Sequence, residues 1–324
     1  MKKKLLAIIC CLTCFTILIA GCGQKNANDA KKSEAEALYE QGEAYENQQN
    51  YTEALNCYKN AADMGHVPSQ SSAGEICYEL KDYTSAFMYF KMAADNGDAK
   101  GQFNTAMLYS EGLGTDKNQE EAVRYYKLAA DQGDSYAQNN LGLKYDKGEG
   151  VEKNSEEAVK YYRLAADQGN PLAQNNLAMK YEKGEGVPQS YEEAYKYYKL
   201  AADQFESNAL TSVGLYYENG IVVKQSYEEA FKYYKLAADL GNPNAQFNVG
   251  NYYREGRAVE KNEKEAVRYY TLSAQQGDAD AQYNLGAMYL LGQGVEQDYY
   301  TAYQWFVAAA NQGQPNAIQI LSGR

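Results

Sequence analysis

Residues 137–172 read AQNNLGLKYDKGEGVEKNSEEAVKYYRLAADQGNPL, and the same pattern returns 36 positions later. The next copy opens AQNNLAMKYEKGEGV at Ala173, and others open AQFNVGNYYREGRAV at Ala245 and AQYNLGAMYLLGQGV at Ala281. A fixed period of this length marks a repeat array whose unit is one supersecondary element. Within the copy, Ala137, Leu141 and Tyr145 fall at i, i+4 and i+8. Ala158, Tyr161, Tyr162 and Ala165 fall at i, i+3, i+4 and i+7. Both are single apolar stripes at helical period, so each copy reads as a hairpin of a helix A and a helix B. With 33 Tyr against 8 Phe, the layers between units should be thin and keep hydroxyls near water.

The punctuation agrees. Gly148 stands where helix A must stop, and Gly112, Gly184, Gly220, Gly256 and Gly292 share its phase, as left-handed helix ends favour. The second loop glycine, Gly150, gives way to Val222 and Ala258 in two copies. Val151, Val187, Val223, Val259 and Val295 are expected to plug the loop onto the core. Helix B opens with a capping-box pattern, pairing Asn118 with Glu121, Asn154 with Glu157, Ser190 with Glu193, Ser226 with Glu229 and Asn262 with Glu265. It closes on Gly133, Gly169, Gly241, Gly277 and Gly313; Phe205 breaks that column and predicts a lengthened or irregular helix end. Pro171, Pro243 and Pro315 suit the first turn of the next helix A.

Working outward, residues 35–100 hold two shorter units, 32 positions apart, in which Gly42 maps to Gly74 and Ala62 to Ala94. These look like tetratricopeptide repeats. Residues 101–316 hold six units of the longer period, with four added residues between the helices, as in Gly112-Leu113-Gly114-Thr115. Together with the following Tyr-Tyr-x-x-Ala-Ala, this pattern resembles the Sel1-like repeat family. Residues 317–324 start one more helix and stop. The resemblance implies an all-α, right-handed superhelical solenoid of helix-turn-helix units, with helices A lining the concave side. It also implies a protein-binding adaptor, with an envelope assembly or polysaccharide-export complex as one setting.

Met1 to Lys4 is basic, Leu5 to Ala20 is apolar or small without charge, and Ile19-Ala20-Gly21-Cys22 follows. This describes a secretory signal over residues 1–21. Its end resembles the lipobox of bacterial lipoproteins, which implies cleavage before Cys22 and a lipid on Cys22. Several acyl chains would then hold the protein on a membrane of the bacterial cell envelope. Residues 22–34 are polar after the cysteine, without apolar period, and read as a flexible tether.

The net charge of −12 argues against nucleic acid and against electrostatic adhesion to anionic lipid. Two cysteines remain in the body, Cys57 and Cys77. They sit on helices expected to pack together, so they are either two buried thiols or a candidate disulfide. The single histidine, His66, lacks the partners of a His-based metal site, and no cofactor is implied. The repeated pairs Glu156-Glu157 and Glu192-Glu193 recur at helix starts, where negative charge meets the positive dipole end. A catalytic pair would be unique. No serine is followed by Lys at the third position, so the Ser-x-x-Lys nucleophile of penicillin-interacting enzymes is missing. Some cysteine-rich proteins of this repeat family interact with β-lactams, but their within-unit cysteine pairs are absent here. The reading is of a non-enzyme. A cell-wall or β-lactam-interacting enzyme, and a surface factor aimed at host molecules, are the rival readings.

If helices A line the inner surface, three columns face a partner. The first contains Phe103, Asn139, Asn175, Phe247 and Tyr283. The second contains Met107, Leu143, Met179, Leu215 and Asn251, and the third Asp146, Glu182, Glu218 and Leu290. They vary from unit to unit against constant packing columns, as a recognition surface or as a solvated surface free to drift. Asn104, Asn140, Asn176, Asn248 and Asn284 form a polar column that either grips a peptide backbone or caps a neighbouring loop.

Overall fold

The computed structural model describes residues 27–323, so the leader and Cys22 lie outside the described residues. Those residues form seventeen helices and no strand. They divide into two compact units at Lys153/Asn154. The first holds α1 (27–47), α2 (Tyr51–Asp63), α3 (Val67–Glu79), α4 (Tyr83–Asp95), α5 (Ala99–Glu111), α6 (Gln119–Asp131) and α7 (Ser135–Lys147). The second holds α8 (Ser155–Asp167), α9 (Pro171–Lys183), α10 (Tyr191–Ala202), α11 (Ser207–Asn219), α12 (Tyr227–Asp239) and α13 (Pro243–Glu255). It continues with α14 (Glu263–Gln275), α15 (Ala279–Leu291), α16 (Tyr299–Asn311) and α17 (Pro315–Leu321). Odd-numbered helices are helices A and even-numbered ones helices B. Within each unit every helix packs on its neighbours in sequence, giving tandem hairpins of an all-α solenoid.

Residues 27–34, expected within the tether, are instead the exposed first turns of α1, up to the buried Ala35. Ala27, Ala30, Lys31, Lys32 and Glu34 are good helix formers, and a helix nucleated by the first repeat propagates back through them.

Inside a hairpin the closest fit is a ring against a glycine. The fully buried Tyr58, Phe90, Tyr234 and Tyr270 of helices B lie against Gly42, Gly74, Gly214 and Gly250 of helices A. A Cβ added at Gly250 would lie 2.7 Å from two ring carbons of Tyr270. Ala106 and Ala178 hold this phase in two other units, so a methyl is the upper limit.

The loops differ as the period demands. Helices α3 and α4 are joined by residues 80–82, helices α5 and α6 by residues 112–118. In the longer loop the left-handed Gly112 donates to Leu108 O at 2.8 Å and ends α5. Val223 and Val259 pack against the core as expected. The second glycine meets the preceding hairpin: a Cβ at Gly186 would lie 2.2 Å from Ser155 O. Helix B starts differ from a full capping box. The N-cap side chain does accept from the third residue, as Asn118 does from Glu121 N at 3.0 Å. The reciprocal bond is tertiary, because the cap N–H donates to helix A: Asn118 N to Tyr109 O at 2.9 Å, Ser226 N to Tyr217 O at 2.9 Å. The freed glutamates pair with a cation at i+3, as Glu121 does with Arg124 and Glu229 with Lys232.

Phe205 does not lengthen its helix end: α10 stops at Ala202, one residue sooner than α8 or α12, and keeps their closing bonds. Phe205 N donates to Ala202 O at 2.9 Å and Glu206 N to Ala201 O at 3.1 Å. Gly169 N and Asn170 N donate to Ala166 O and Ala165 O at the same two distances. The closure is thus the Schellman pattern of the glycine copies. Phe205 adopts it with φ 61 and an exposed ring, so only its backbone bears the cost. Cys57 and Cys77 are free buried thiols, and the candidate disulfide is not formed. Burial pushes both thiols up, which disfavours the thiolate that disulfide exchange needs.

The glycine–ring fit predicts a graded response at one site. Gly250→Ala should change stability by no more than about 1 kcal/mol, since helix propensity offsets a small ring shift. Gly250→Leu should cost about 1–3 kcal/mol by overpacking. Urea denaturation of both variants checks this, and equal losses would contradict the fit.

Candidate partner-binding surface and the seams between repeats

The structure separates the expected inner-surface residues by burial. In the first column, Phe103, Phe247 and Tyr283 are half-buried because each covers the helix B ring of its own hairpin. Their centroids lie 5.8, 5.9 and 5.8 Å from Tyr126, Tyr270 and Phe306. Asn139 and Asn175, at the same phase, are buried at 2% and 7% exposure and are not displayed. Being shorter, they lie in the hairpin rather than over it. Asn175 Nδ2 reaches only Met179 Sδ at 3.9 Å, and its Oδ1 is buried with no partner.

The second column is the displayed one. Met179 and Leu215 are exposed, and Met107, Leu143 and Asn251 are half-buried. Asn251 Oδ1 accepts from the Tyr270 hydroxyl at 2.7 Å. In the third column, Asp146 and Leu290 are half-buried, while Glu182 and Glu218 accept from Tyr198 and Tyr234 hydroxyls at 2.9 and 2.6 Å. Tyr283 and Leu290 also pack on a cluster that includes Ala317 of α17. In the asparagine column the best-defined positions meet helix B hydroxyls rather than a neighbouring loop. Asn140 lies beside the Tyr126 hydroxyl and Asn284 beside that of Tyr270. Burial pushes each phenol up to about 12, against a lowering by the asparagine.

Two features escaped the sequence reading. Lys144 and Lys180 occupy a packing column otherwise filled by Leu108, Tyr216, Tyr252 and Met288, and are only 7% and 6% exposed. The Lys144 ammonium donates to Ser110 Oγ at 2.7 Å, Gln119 Oε1 at 2.5 Å and Glu149 Oε2 at 2.9 Å. Lys144, Ser110 and Glu149 line a polar cleft of about 240 Å³ with Tyr126, Asn140, Leu143 and Lys147. Lys144 holds the Glu149 carboxyl below the usual range, although that side chain is 43% exposed. The second feature is a glutamine ladder across seams. Gln132 Nε2 donates to Gly97 O at 3.0 Å and to Gln102 Oε1 at 2.8 Å. Gln276 repeats this with Gly241 at 3.0 Å and Gln246 at 2.8 Å. At the same spacing, Leu210 and Leu240 replace both partners of one rung, which avoids leaving a buried amide unpaired. Both columns recur every 36 residues, so a column-by-column count of buried-phase polar residues finds them.

Among the described residues, no group of three or more His, Cys, Asp and Glu is placed to hold a metal. His66 contacts Ser69 Oγ at 2.7 Å and Glu36 Oε2 at 3.1 Å. No helix among the described residues is long and apolar enough to cross a membrane.

The Sel1 repeat model matches residues 35–66, 74–98, 99–134, 135–170, 171–204, 207–242, 243–278 and 279–314. The chain belongs to the Sel1 repeat family. The match takes in the two shorter units as well as the longer ones. A protective antigen present in uropathogenic Escherichia coli strains, displaying an SLR fold, is 30% identical with a TM-score of 0.72. The alignment covers 91% of this chain and 65% of that one, so the chain spans about two thirds of that relative's length. A Sel1 repeat protein from Oxalobacter formigenes is 33% identical with a TM-score of 0.68, over 74% of this chain and 96% of that one. No curated protein sequence matches the chain. Sel1 repeat arrays typically serve protein–protein interaction and are generally non-catalytic.

The buried lysine makes a prediction about this seam. Lys144→Met, which keeps the stem's packing and returns Glu149 to water, should be close to neutral. Lys144→Ala should cost about 2–3 kcal/mol more, from the lost packing. Because Glu149 titrates below its unfolded value, the pair stabilises fully above the ordinary glutamate range and weakens as pH falls through the lowered value. Denaturation from pH 7 to 3 should therefore show a shallower acid loss in Glu149→Gln than in the native chain.

Proposed function

We propose that this Sel1 repeat protein is a scaffold that is exported, acylated on Cys22 and held at a membrane of the bacterial cell envelope. There it binds one or more proteins or peptides along its helix A surface. The observation that carries the binding reading is the contrast between columns. Glycine, alanine and ring positions repeat unit after unit, while Met107, Leu143, Met179, Leu215 and Asn251 change and reach the surface. A preformed helical face binds with little ordering cost. The N-terminal text Ile19-Ala20-Gly21-Cys22 supports the anchor. An adaptor in an envelope assembly or polysaccharide-export complex is the setting we favour. Likeness to a protective antigen favours a second reading, a surface-exposed factor meeting host molecules.

In-cell photo-crosslinking from Leu143, Leu215 and Tyr283 tests the scaffold. One dominant protein adduct, lost when the displayed residue is changed, is the expected result. Adducts to glycan alone, or none above an outer-face control, would sink it. Cys22→Ser should abolish incorporation of labelled palmitate and move the protein out of the membrane fraction; unchanged membrane retention would refute the lipid anchor. Protease shaving of intact cells separates a periplasm-facing scaffold from the host-facing reading.

A further inference from the structure

The seams between successive hairpins are built from equivalent positions, so one seam can be compared with the next inside the second unit. At the seam of α11–α12 with α13, Glu218 accepts from Tyr234 Oη at 2.6 Å. Tyr252 of α13 meets Tyr234 edge-on at 5.7 Å and Tyr227 at 6.4 Å. Into this cage comes Arg257 from the following loop. Its Nη1 donates to Glu218 Oε1 at 2.7 Å, and its guanidinium lies 4.9 Å from the Tyr227 ring and 5.5 Å from the Tyr252 ring. An ion pair flanked by two ring faces is a strong setting for arginine.

One repeat earlier most of these contacts recur, without a ring contact to match that of Tyr227 with Tyr252. Glu182 accepts from Tyr198 Oη at 2.9 Å, and Tyr216 meets Tyr198 edge-on at 5.8 Å. Gln189 bridges Glu182 O and Tyr191 Oη at 2.8 and 3.3 Å, as Gln225 bridges Glu218 O and Tyr227 Oη at 2.8 and 3.2 Å. The counterpart of Arg257 is Ile221, a half-buried side chain that packs on the core cluster and carries no charge to Glu182. Glu182 makes no ion pair among the described residues, which is the difference between the two seams; the buried hydroxyls of Tyr216 and Tyr252 are alike in having no hydrogen-bond partner. Burial and the Glu182 charge push the Tyr216 phenol up.

The loops of these two seams differ from the others. At Gly114, Gly150, Gly186 and Gly294 a Cβ would lie 2.0–2.3 Å from the backbone of the preceding helix B. Val222 and Ala258 carry that Cβ at φ 63 and 57, so their loops must stand further off. The helix B residues they face at that phase are Tyr191 and Tyr227, the cage tyrosines. A β-branched residue held in the left-handed region is uncommon and costly.

We propose that the seam formed by Glu182, Tyr191, Tyr198 and Tyr216 receives an arginine side chain of a partner protein, its guanidinium seated as Arg257 is seated against Glu218. The site rests on the scaffold reading above and names the chemistry of one of its contacts. Tyr191 is 42% exposed and Val222 47%, so the seat opens to solvent. The chain's net charge of −12 favours a cationic partner.

The probe is the peptide acetyl-Gly-Arg-Gly-amide, with citrulline in place of arginine as its neutral match. It is titrated into the full chain carrying ring-labelled tyrosine and followed by NMR. The expected result is perturbation of Tyr191 and Tyr216, assigned by Tyr→Phe variants, with millimolar affinity. Glu182→Gln should weaken it at least about five-fold, since the charge-assisted bond is lost, and the citrulline peptide should perturb neither ring. Equal response to citrulline, shifts that survive Glu182→Gln, or no response at tens of millimolar would each overturn the proposal. Ile221→Arg supplies an internal guanidinium. It should block the peptide and raise Tm in the native background, with no rise beside Glu182→Gln; an equal Tm change in both backgrounds would count against the seat. If Ile221→Arg leaves every crosslinked partner unchanged, the scaffold stands and the arginine contact falls. If the peptide binds as described while no protein adduct forms, the seat stands and the scaffold falls.

Discussion

The fold depends on how near a helix A backbone lets a helix B ring approach. Tyr58, Phe90, Tyr234 and Tyr270 fill the hairpin because Gly42, Gly74, Gly214 and Gly250 stand against them, a column that elsewhere admits nothing larger than the methyl of Ala106 and Ala178. That contact fixes the spacing of the two helices, and spacing fixes everything outside it. It brings Tyr109 and Tyr217 carbonyls within 2.9 Å of the Asn118 and Ser226 cap N–H groups, which locks the hairpin. It also sets the helix B hydroxyls where the next helix A can reach them, as Asn140 reaches Tyr126. Dispersion and hydrophobic burial drive the assembly, but the small-residue column gives it one geometry.

Polarity is handled at the seams rather than in the hairpins. A tyrosine-rich layer leaves hydroxyls, amides and charges near the edge, and each buried one needs a partner. The glutamine rungs, the Lys144 cluster and the Glu218–Arg257 pair are three solutions to that requirement. Surface pairs such as Glu229–Lys232 recur at helix starts but are worth little, because water screens them. The seams therefore carry both interaction specificity and the positions where one repeat differs chemically from the next. The paired replacement by Leu210 and Leu240 shows that a rung changes as a unit.

Much of this is legible beforehand because it repeats. Recurrence at 36 residues exposes the helix ends, the caps and the core stripes without any structure. Phe205 shows where that logic misleads: a broken glycine column reads as a broken helix end, yet the backbone bonds there match those at Gly169. The two main-chain hydrogen bonds of the closure outweigh the cost of one left-handed phenylalanine. Asn139 and Asn175 mislead in the opposite direction, since a polar residue at a displayed phase reads as displayed, and both are buried. The capping box is half right for a related reason, because a local motif cannot anticipate a tertiary acceptor.

The sequence by itself determined the unit, its helices, the ends that recur in phase and the family resemblance, since these are local patterns repeated along the chain. Only the tertiary structure decided which polar groups meet across a seam. The partners of Lys144 come from three elements, and Arg257 finds Glu218 from 39 residues away. Such pairings depend on how hairpins stack, and stacking is set by ring-to-backbone distances of a few ångströms that no periodicity encodes.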